Sequence, residues 1–88
     1  MTTGKLDGRV AIVTGAGGGL GAECARVLAA HGASLAIVDI NEAAAARVAT
    51  EIEASGGSAM SVATDVSSEE SVEAMVSAVM ERFGRIDV

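Results

Sequence analysis

Four short apolar runs alternate along the chain with three longer segments in which apolar residues recur every three or four positions. The runs cover residues 10–14, 34–38 and 59–64, and a fourth opens with Ile86. Short runs rich in Val, Ile and Ala predict buried strands, and the longer spacing predicts amphipathic helices. Strands that alternate with helices in this way are typical of an α/β fold with a parallel sheet.

Each of the three predicted helices has an apolar stripe that we expect to face the sheet. The first stripe comprises Leu20, Cys24, Val27, Leu28 and His31, and its helix stops at Gly32. The second comprises Ala45, Val48, Ala49 and Ile52, in a helix that opens at the N-cap Asn41 and ends near residues 55–57. The third comprises Val72, Met75, Val76, Val79, Met80 and Phe83; Ser67 and Glu70 are its predicted capping box, and Gly84 ends it. Met60, Met75 and Met80 are expected to fill the core.

The handedness of the connections predicts the topology. Right-handed crossovers place the first two helices on one face of the sheet and the third helix on the other face. The resulting strand order is 3-2-1-4, which is the first half of a doubly wound parallel sheet.

A glycine-rich turn, Thr14-Gly15-Ala16-Gly17-Gly18-Gly19-Leu20-Gly21, connects the first strand to the first helix. The start of a helix presents free N–H groups and the positive end of the helix dipole, which suit a dianionic diphosphate. Glycines let the backbone adopt a positive φ and approach a ligand closely. Asp39 closes the second apolar run, where a dinucleotide-binding fold holds the carboxylate that binds the ribose hydroxyls. The pattern therefore predicts a Rossmann-type dinucleotide site.

These residues resemble the N-terminal part of the short-chain dehydrogenase/reductase family. The cofactor signature of that family, TGxxxGxG, is matched by Thr14, Gly15, Gly19 and Gly21. Gly17, Gly19 and Ala22 also fit the general GxGxxG/A spacing, so that spacing alone leaves the register open. Asp65-Val66 resembles the family's adenine-contacting pair, and residues 84–88 resemble the lead into its fourth strand.

The resemblance implies NAD as cofactor and a parent oxidoreductase that moves a hydride between nicotinamide and an alcohol/carbonyl pair. The glycine turn and the resemblance together indicate ten cofactor-binding residues. They are Gly15, Gly17, Gly18, Gly19, Leu20, Gly21, Asp39, Ile40, Asp65 and Val66. NAD is favoured over NADP because Gly18 and Ile40 occupy positions where NADP-dependent members often carry a base. The family's Ser and Tyr-x-x-x-Lys do not occur in residues 1–88, so we assign no catalytic residue and expect this segment alone to be inactive. Residues 1–88 are interpreted as the N-terminal part of one NAD-binding domain.

Composition and charge argue against several other functions. A net charge of −6, with six scattered basic residues and 1% aromatic content, does not favour nucleic-acid binding. The apolar stretches are shorter than the roughly 20 residues of a membrane span, and residues 1–7 lack the apolar centre of a signal peptide. We therefore expect a cytoplasmic protein that binds neither nucleic acid nor a membrane. No His/Cys cluster stands at metal-ligand spacing, so no metal site is expected. The parent enzyme is expected to act on a small alcohol or carbonyl compound as a homo-oligomer. The single cysteine, Cys24, excludes an internal disulfide and is expected to be a small core thiol.

Some alternatives stay open at this point. The chain could be a non-catalytic nucleotide-binding module, or a methyltransferase that uses its glycine turn for S-adenosylmethionine, although Thr14 stands where methyltransferases usually have an acid. A nucleoside-triphosphate loop is excluded because Leu20-Gly21-Ala22 replaces the required Lys-Ser/Thr pair. Asp39 could instead be a helix cap or a solvated loop acid, and Asp65 could merely end a strand.

Overall fold

The computed structural model describes residues 5–88, which form a three-stranded parallel sheet flanked by three helices. In chain order the elements are β1 (Val10–Thr14), α1 (Gly19–Ala30), β2 (Ser34–Asp39), α2 (Glu42–Ala54), β3 (Ser58–Ala63) and α3 (Glu69–Phe83). Six of the seven predicted elements are present, and each begins and ends close to its expected position; the fourth predicted strand is the exception. The segment 1–7, considered above as a possible leader, lies partly outside the described residues.

The sheet has the order β1-β2-β3, with Val10 opposite Ser34 and Ser34 opposite Ser58. This in-line register brings the carboxyl ends of all three strands to one edge of the sheet. The C-terminal residues lie along the free side of β1: the Val88 N–H donates to the Val10 carbonyl at 3.2 Å, and the Val88 carbonyl accepts from the Ile12 N–H at 2.9 Å. These are the two bonds that a parallel neighbour makes. The chain therefore begins to occupy the fourth strand position, which the sequence predicts beside β1, although residues 86–88 do not form a regular strand.

The core is divided by the sheet into two layers, as the crossover rule predicts. One layer packs α1 and α2 against Ala11, Leu35, Ile37 and Ala59. The other packs α3 against the opposite side chains of the same strands, including Ala36 and Val38. The parallel strands are thus covered on both faces, which explains why their sequences are almost continuously apolar.

Helix α1 corrects the predicted stripe. Its buried residues are Ala22 and Ala25, whereas Leu20, Cys24 and Val27 are exposed. Small side chains let the helix axis approach the sheet and the glycine turn closely; of the larger stripe residues, Leu28 is partly buried and packs against the core as predicted, whereas Leu20 and Val27 point away. Cys24 is therefore a surface thiol and not part of the core. The four predicted core positions of α2 are all buried, in contrast.

Helix α3 differs from its prediction at the start and along the stripe. Its N-cap is Ser68, whose Oγ accepts from the Ser71 N–H at 3.2 Å, and not Ser67. Met75 and Val79 are buried, but Val76 and Met80 are exposed, Met80 in contrast to its predicted core position. Gly84 ends the helix in the left-handed conformation with φ of 80°, as expected. No helix within residues 5–88 is long and apolar enough to cross a membrane.

Candidate dinucleotide-binding site

A cleft of about 390 Å³ opens at the carboxyl edge of the sheet. Its lining comes from the ends of all three strands: Thr14, Gly15, Val38, Asp39, Ile40, Thr64, Asp65 and Val66. Ligands of open parallel sheets bind at this edge, next to the point where the chain order reverses. The fold therefore brings Gly15, Asp39, Ile40, Asp65 and Val66, predicted separately along the sequence, to one opening.

The glycine turn lies beside this cleft and leads into α1. Gly15 and Gly19 adopt positive φ values of 63° and 58°, where a side chain would be strained. Helix α1 begins without a side-chain cap and without an acidic residue in its first turn, whereas Asn41 and Ser68 cap α2 and α3. The first N–H groups of α1 therefore lack a side-chain acceptor in residues 5–88, and they suit an anionic ligand. Gly18 and Leu20 are exposed at this helix start.

Asp39 has both carboxylate oxygens held by backbone groups. Oδ2 accepts from the Gly17 N–H and Oδ1 accepts from the Asn41 N–H, each at 2.9 Å. Donation from Asn41, then from Gly17, holds the pKa of Asp39 below its ordinary value, and partial burial opposes this weakly. Asp39 is thus an ionised acceptor of fixed orientation at the rim of the cleft. Asn41, and not Asp39, caps α2.

Two glycines of the turn are required by close packing. A Cβ at Gly17 would lie 2.8 Å from both the Ala44 Cβ and the Asp39 Oδ2. A Cβ at Gly21 would collide with the backbone carbonyl of Gly15. Gly21 therefore lets α1 pack against the turn, which is a structural role within the predicted binding set.

Asp65 is oriented by the loop that follows β3. Its Oδ1 accepts from the Ser67 Oγ at 2.6 Å and from the Ser67 N–H at 2.9 Å, and these two bonds lower the pKa of the Asp65 carboxyl. The Asp65 N–H donates to the Ser71 Oγ at 2.9 Å. Asp65 is consequently an exposed, ionised acceptor next to the apolar side chains of Val66 and Ile40, which are 63% and 73% exposed.

Sequence reasoning missed Thr64 as part of this site. Thr64 is 3% exposed, lines the cleft, and has an Oγ1 without a hydrogen-bond partner among the described residues. A buried hydroxyl without a partner costs free energy, so the group needs an acceptor or donor from water or a ligand. Its position directly before Asp65 is the only signal in the sequence that indicated it.

A second and larger cavity, of about 580 Å³, lies at the opposite edge of the sheet. It contains none of the predicted site residues. Arg26, its cation, already forms a salt bridge with Glu51 at 2.9 Å. Size alone would favour this cavity, but the uncapped helix and the fixed carboxylates lie at the smaller one. Within residues 5–88 no group of three or more His, Cys, Asp or Glu could hold a metal ion.

Comparison with known proteins decides the family. The model of the short chain dehydrogenase family matches residues 9–88. The chain belongs to this family. It is 48% identical over 85 residues to the short chain dehydrogenase/reductase astE of Aspergillus oryzae, a match that covers 96% of this chain and 33% of that protein.

Solved structures of family members have the same arrangement. A hydroxysteroid dehydrogenase from Escherichia coli superposes with a TM-score of 0.93 at 40% identity, covering 96% of this chain and 36% of the other. The 3-ketoacyl-(acyl-carrier-protein) reductase from Brucella melitensis, complexed with NADH, gives 0.88 at 46% identity, covering 94% and 33%. The chain thus spans about a third of the length of these relatives.

Proposed function

We propose that residues 1–88 are the NAD-binding, N-terminal part of a dehydrogenase that transfers a hydride between nicotinamide and an alcohol/carbonyl pair. The observation that carries this proposal is the uncapped start of α1 next to the fixed, ionised carboxylate of Asp39. The Brucella relative at 46% identity is a reductase complexed with NADH, which supports the same cofactor here. Bound NAD would supply the hydride acceptor, and this segment would bind and orient it.

The residues at the cleft fit the parts of a dinucleotide in order along the edge. The N–H groups at the start of α1 would bind the diphosphate, and the free lone pairs of Asp39 would accept from the adenosine ribose hydroxyls. Ile40 and Val66, which line the cleft, would offer apolar side chains to an adenine ring, and Asp65, which also lines it, would offer a carboxylate.

We infer a preference for NAD over NADP from the charge at Asp39. A 2′-phosphate about 4 Å from this carboxylate would be repelled by up to ~4 kcal/mol at an effective dielectric constant near 20. Neither Gly18 nor Ile40 supplies a compensating cation. We also propose that the family's Ser and Tyr-x-x-x-Lys act from outside residues 1–88. A cytoplasmic location, a homo-oligomeric state and a small alcohol or carbonyl substrate remain predictions.

Titration of NAD and NADP into the full-length protein at fixed salt tests this function. We expect NAD to bind at least about tenfold more tightly, because only NADP meets the Asp39 repulsion. Asp39→Ala should narrow the difference, whereas Glu42→Ala, which removes an exposed charge on the first turn of α2, should leave it unchanged. Equal affinities for the wild type would contradict the role of Asp39. Binding of NAD without hydride transfer to any alcohol or carbonyl would favour the non-catalytic module.

A further inference from the structure

We propose that Asp39 is also a positioning residue for the diphosphate-binding turn, independent of its contact with the ribose. This inference rests on the proposed function, since it assigns Asp39 a second task in binding the same ligand. The carboxylate would hold the glycine turn in the conformation that a diphosphate needs, before any ligand arrives.

The first observation is how few bonds hold the turn. Within the described residues, the backbone of 15–18 has two hydrogen-bonded anchors outside the turn and α1. The Ala16 N–H donates to the Val38 carbonyl at 3.1 Å, and the Gly17 N–H donates to the Asp39 Oδ2 at 2.9 Å. Both anchors lead to the end of β2, and only the second one uses a side chain. Removal of Asp39 would leave the turn with one anchor.

The second observation is that the carboxylate itself is fixed. Its other oxygen accepts from the Asn41 N–H at 2.9 Å, and the Asn41 side chain in turn accepts from the Ala44 N–H at 3.0 Å. Asp39 is therefore coupled to the first turn of α2, and it cannot rotate away from Gly17 without losing a second hydrogen bond.

The third observation is steric. Gly17 is buried, and a Cβ at this position would meet both the Ala44 Cβ and the Asp39 Oδ2 at 2.8 Å. The Asp39 carboxylate and Ala44 of α2 thus both lie close to the side of Gly17 where a side chain would stand, and they leave room for glycine only. Such an arrangement fixes a backbone that glycines would otherwise leave with wide conformational freedom.

These contacts predict how an amide would differ from the carboxylate. Two N–H donors point at Asp39, one at each oxygen, and an asparagine offers only one acceptor oxygen. Asp39→Asn would therefore place an NH₂ group against one backbone N–H. The substitution keeps the size of the side chain and still loses one of the two anchoring bonds.

The test distinguishes the contact of Asp39 with the ribose from its effect on the turn, because it uses a ligand without ribose hydroxyls. Binding of ADP and of 2′,3′-dideoxyadenosine 5′-diphosphate to the full-length protein is measured by calorimetry for the wild type, Asp39→Asn, Asp39→Ala and Glu42→Gln. If Asp39 positions the turn, both Asp39 variants bind the dideoxy ligand about tenfold more weakly than the wild type does, a typical effect of a lost hydrogen bond to a charged group. Glu42→Gln, which removes the same charge from an exposed residue nearby, should bind it like the wild type.

A different pattern of affinities would contradict the inference. If both Asp39 variants bind the dideoxy ligand as tightly as the wild type does and lose affinity only for ADP, Asp39 acts through the ribose alone and the inference is wrong. If the wild type binds neither ligand, the proposed function fails, and this inference fails with it.

A measurement without ligand guards against a variant that simply unfolds. Hydrogen exchange of peptides that cover residues 14–20 should be about tenfold faster in Asp39→Asn, with circular dichroism and exchange in β3 unchanged. Unchanged exchange in the turn would overturn the inference even if ligand binding were weaker.

Discussion

Gly19 combines a left-handed backbone with empty space, and it is the residue at which ligand and helix would meet. Its φ is 58°, and a Cβ there would have no neighbour within 4 Å. A β-branched side chain would be strained in this conformation and would fill the space in front of the first N–H groups of α1. We expect Gly19→Val to abolish NAD binding in the full-length protein and to leave its secondary structure largely intact. Calorimetry and circular dichroism on the same sample check the two parts.

Gly56 provides the matched control for this substitution. It also has a positive φ, 93°, and open space at its Cβ, but it lies after α2 at the opposite edge of the sheet. Gly56→Val should reduce stability through the same kind of strain and keep NAD binding. If Gly19→Val and Gly56→Val bind NAD equally well, the turn at residues 15–21 serves only to connect strand and helix.

The start of α3 carries a prediction about stability at the scale of an element. Ser68 accepts from the Ser71 N–H, so Ser68→Ala should lower the free energy of unfolding by about 1 kcal/mol, the usual effect of a lost N-cap. Ser77→Ala, at an exposed position within the same helix, should be neutral or slightly stabilising because alanine favours helices. Urea denaturation of the two variants measures both effects. If Ser77→Ala lowered the free energy of unfolding as much as Ser68→Ala does, the loss could not be attributed to the N-cap.

Helix α2 shows what the sequence pattern predicts well, and α1 shows what it does not. In α2, Val48 and Ile52 stand among alanines, so the apolar stripe and the buried face coincide. In α1, the face toward the sheet consists of small residues because Gly21 and Ala22 pack close to the turn, and the larger Leu20 and Val27 point outward. A pattern that weights large apolar residues therefore finds Leu28, which packs against the core, but misses the small buried residues Ala22 and Ala25.

The candidate site likewise has features that the sequence predicts and features that it does not. The positions of the glycine turn and Asp39 at the cleft could be predicted because each stands at the end of an apolar run in a parallel sheet, whereas Asp65 is indicated mainly by the resemblance to the family. The hydrogen bond between the Gly17 N–H and the Asp39 carboxylate could not be predicted from the sequence, since it depends on the register of β1 against β2. Similarly, Ser67 is an equally good cap by sequence, but it is bonded to Asp65, which leaves Ser68 as the cap.

At the scale of the whole molecule, the described surface exposes many large apolar side chains for its size. Leu20, Val27, Ile40, Val66, Val76, Met80, Ile86 and Val88 are all exposed. Ile40 and Val66 line the cleft and Leu20 stands at the start of α1, but Val27 and Met80, at 51% and 44% exposure, lie on the outer faces of α1 and α3. Apolar surface of this kind, together with the outer side of β3, which has no strand partner among residues 5–88, favours association with another chain.

We therefore expect residues 1–88, when isolated, to self-associate or to be partly unfolded, and to show no hydride transfer with any alcohol. Sedimentation of the purified chain over a range of concentrations, with an assay for NADH formation, tests both statements. Val27→Lys combined with Met80→Lys should shift the chain toward monomer, because charge replaces the exposed apolar surface. Ser77→Lys adds a charge to an exposed polar position of α3 and should leave the association unchanged. A compact monomer at all concentrations would instead favour a stand-alone binding module, and turnover by this chain would show that its own residues carry the chemistry.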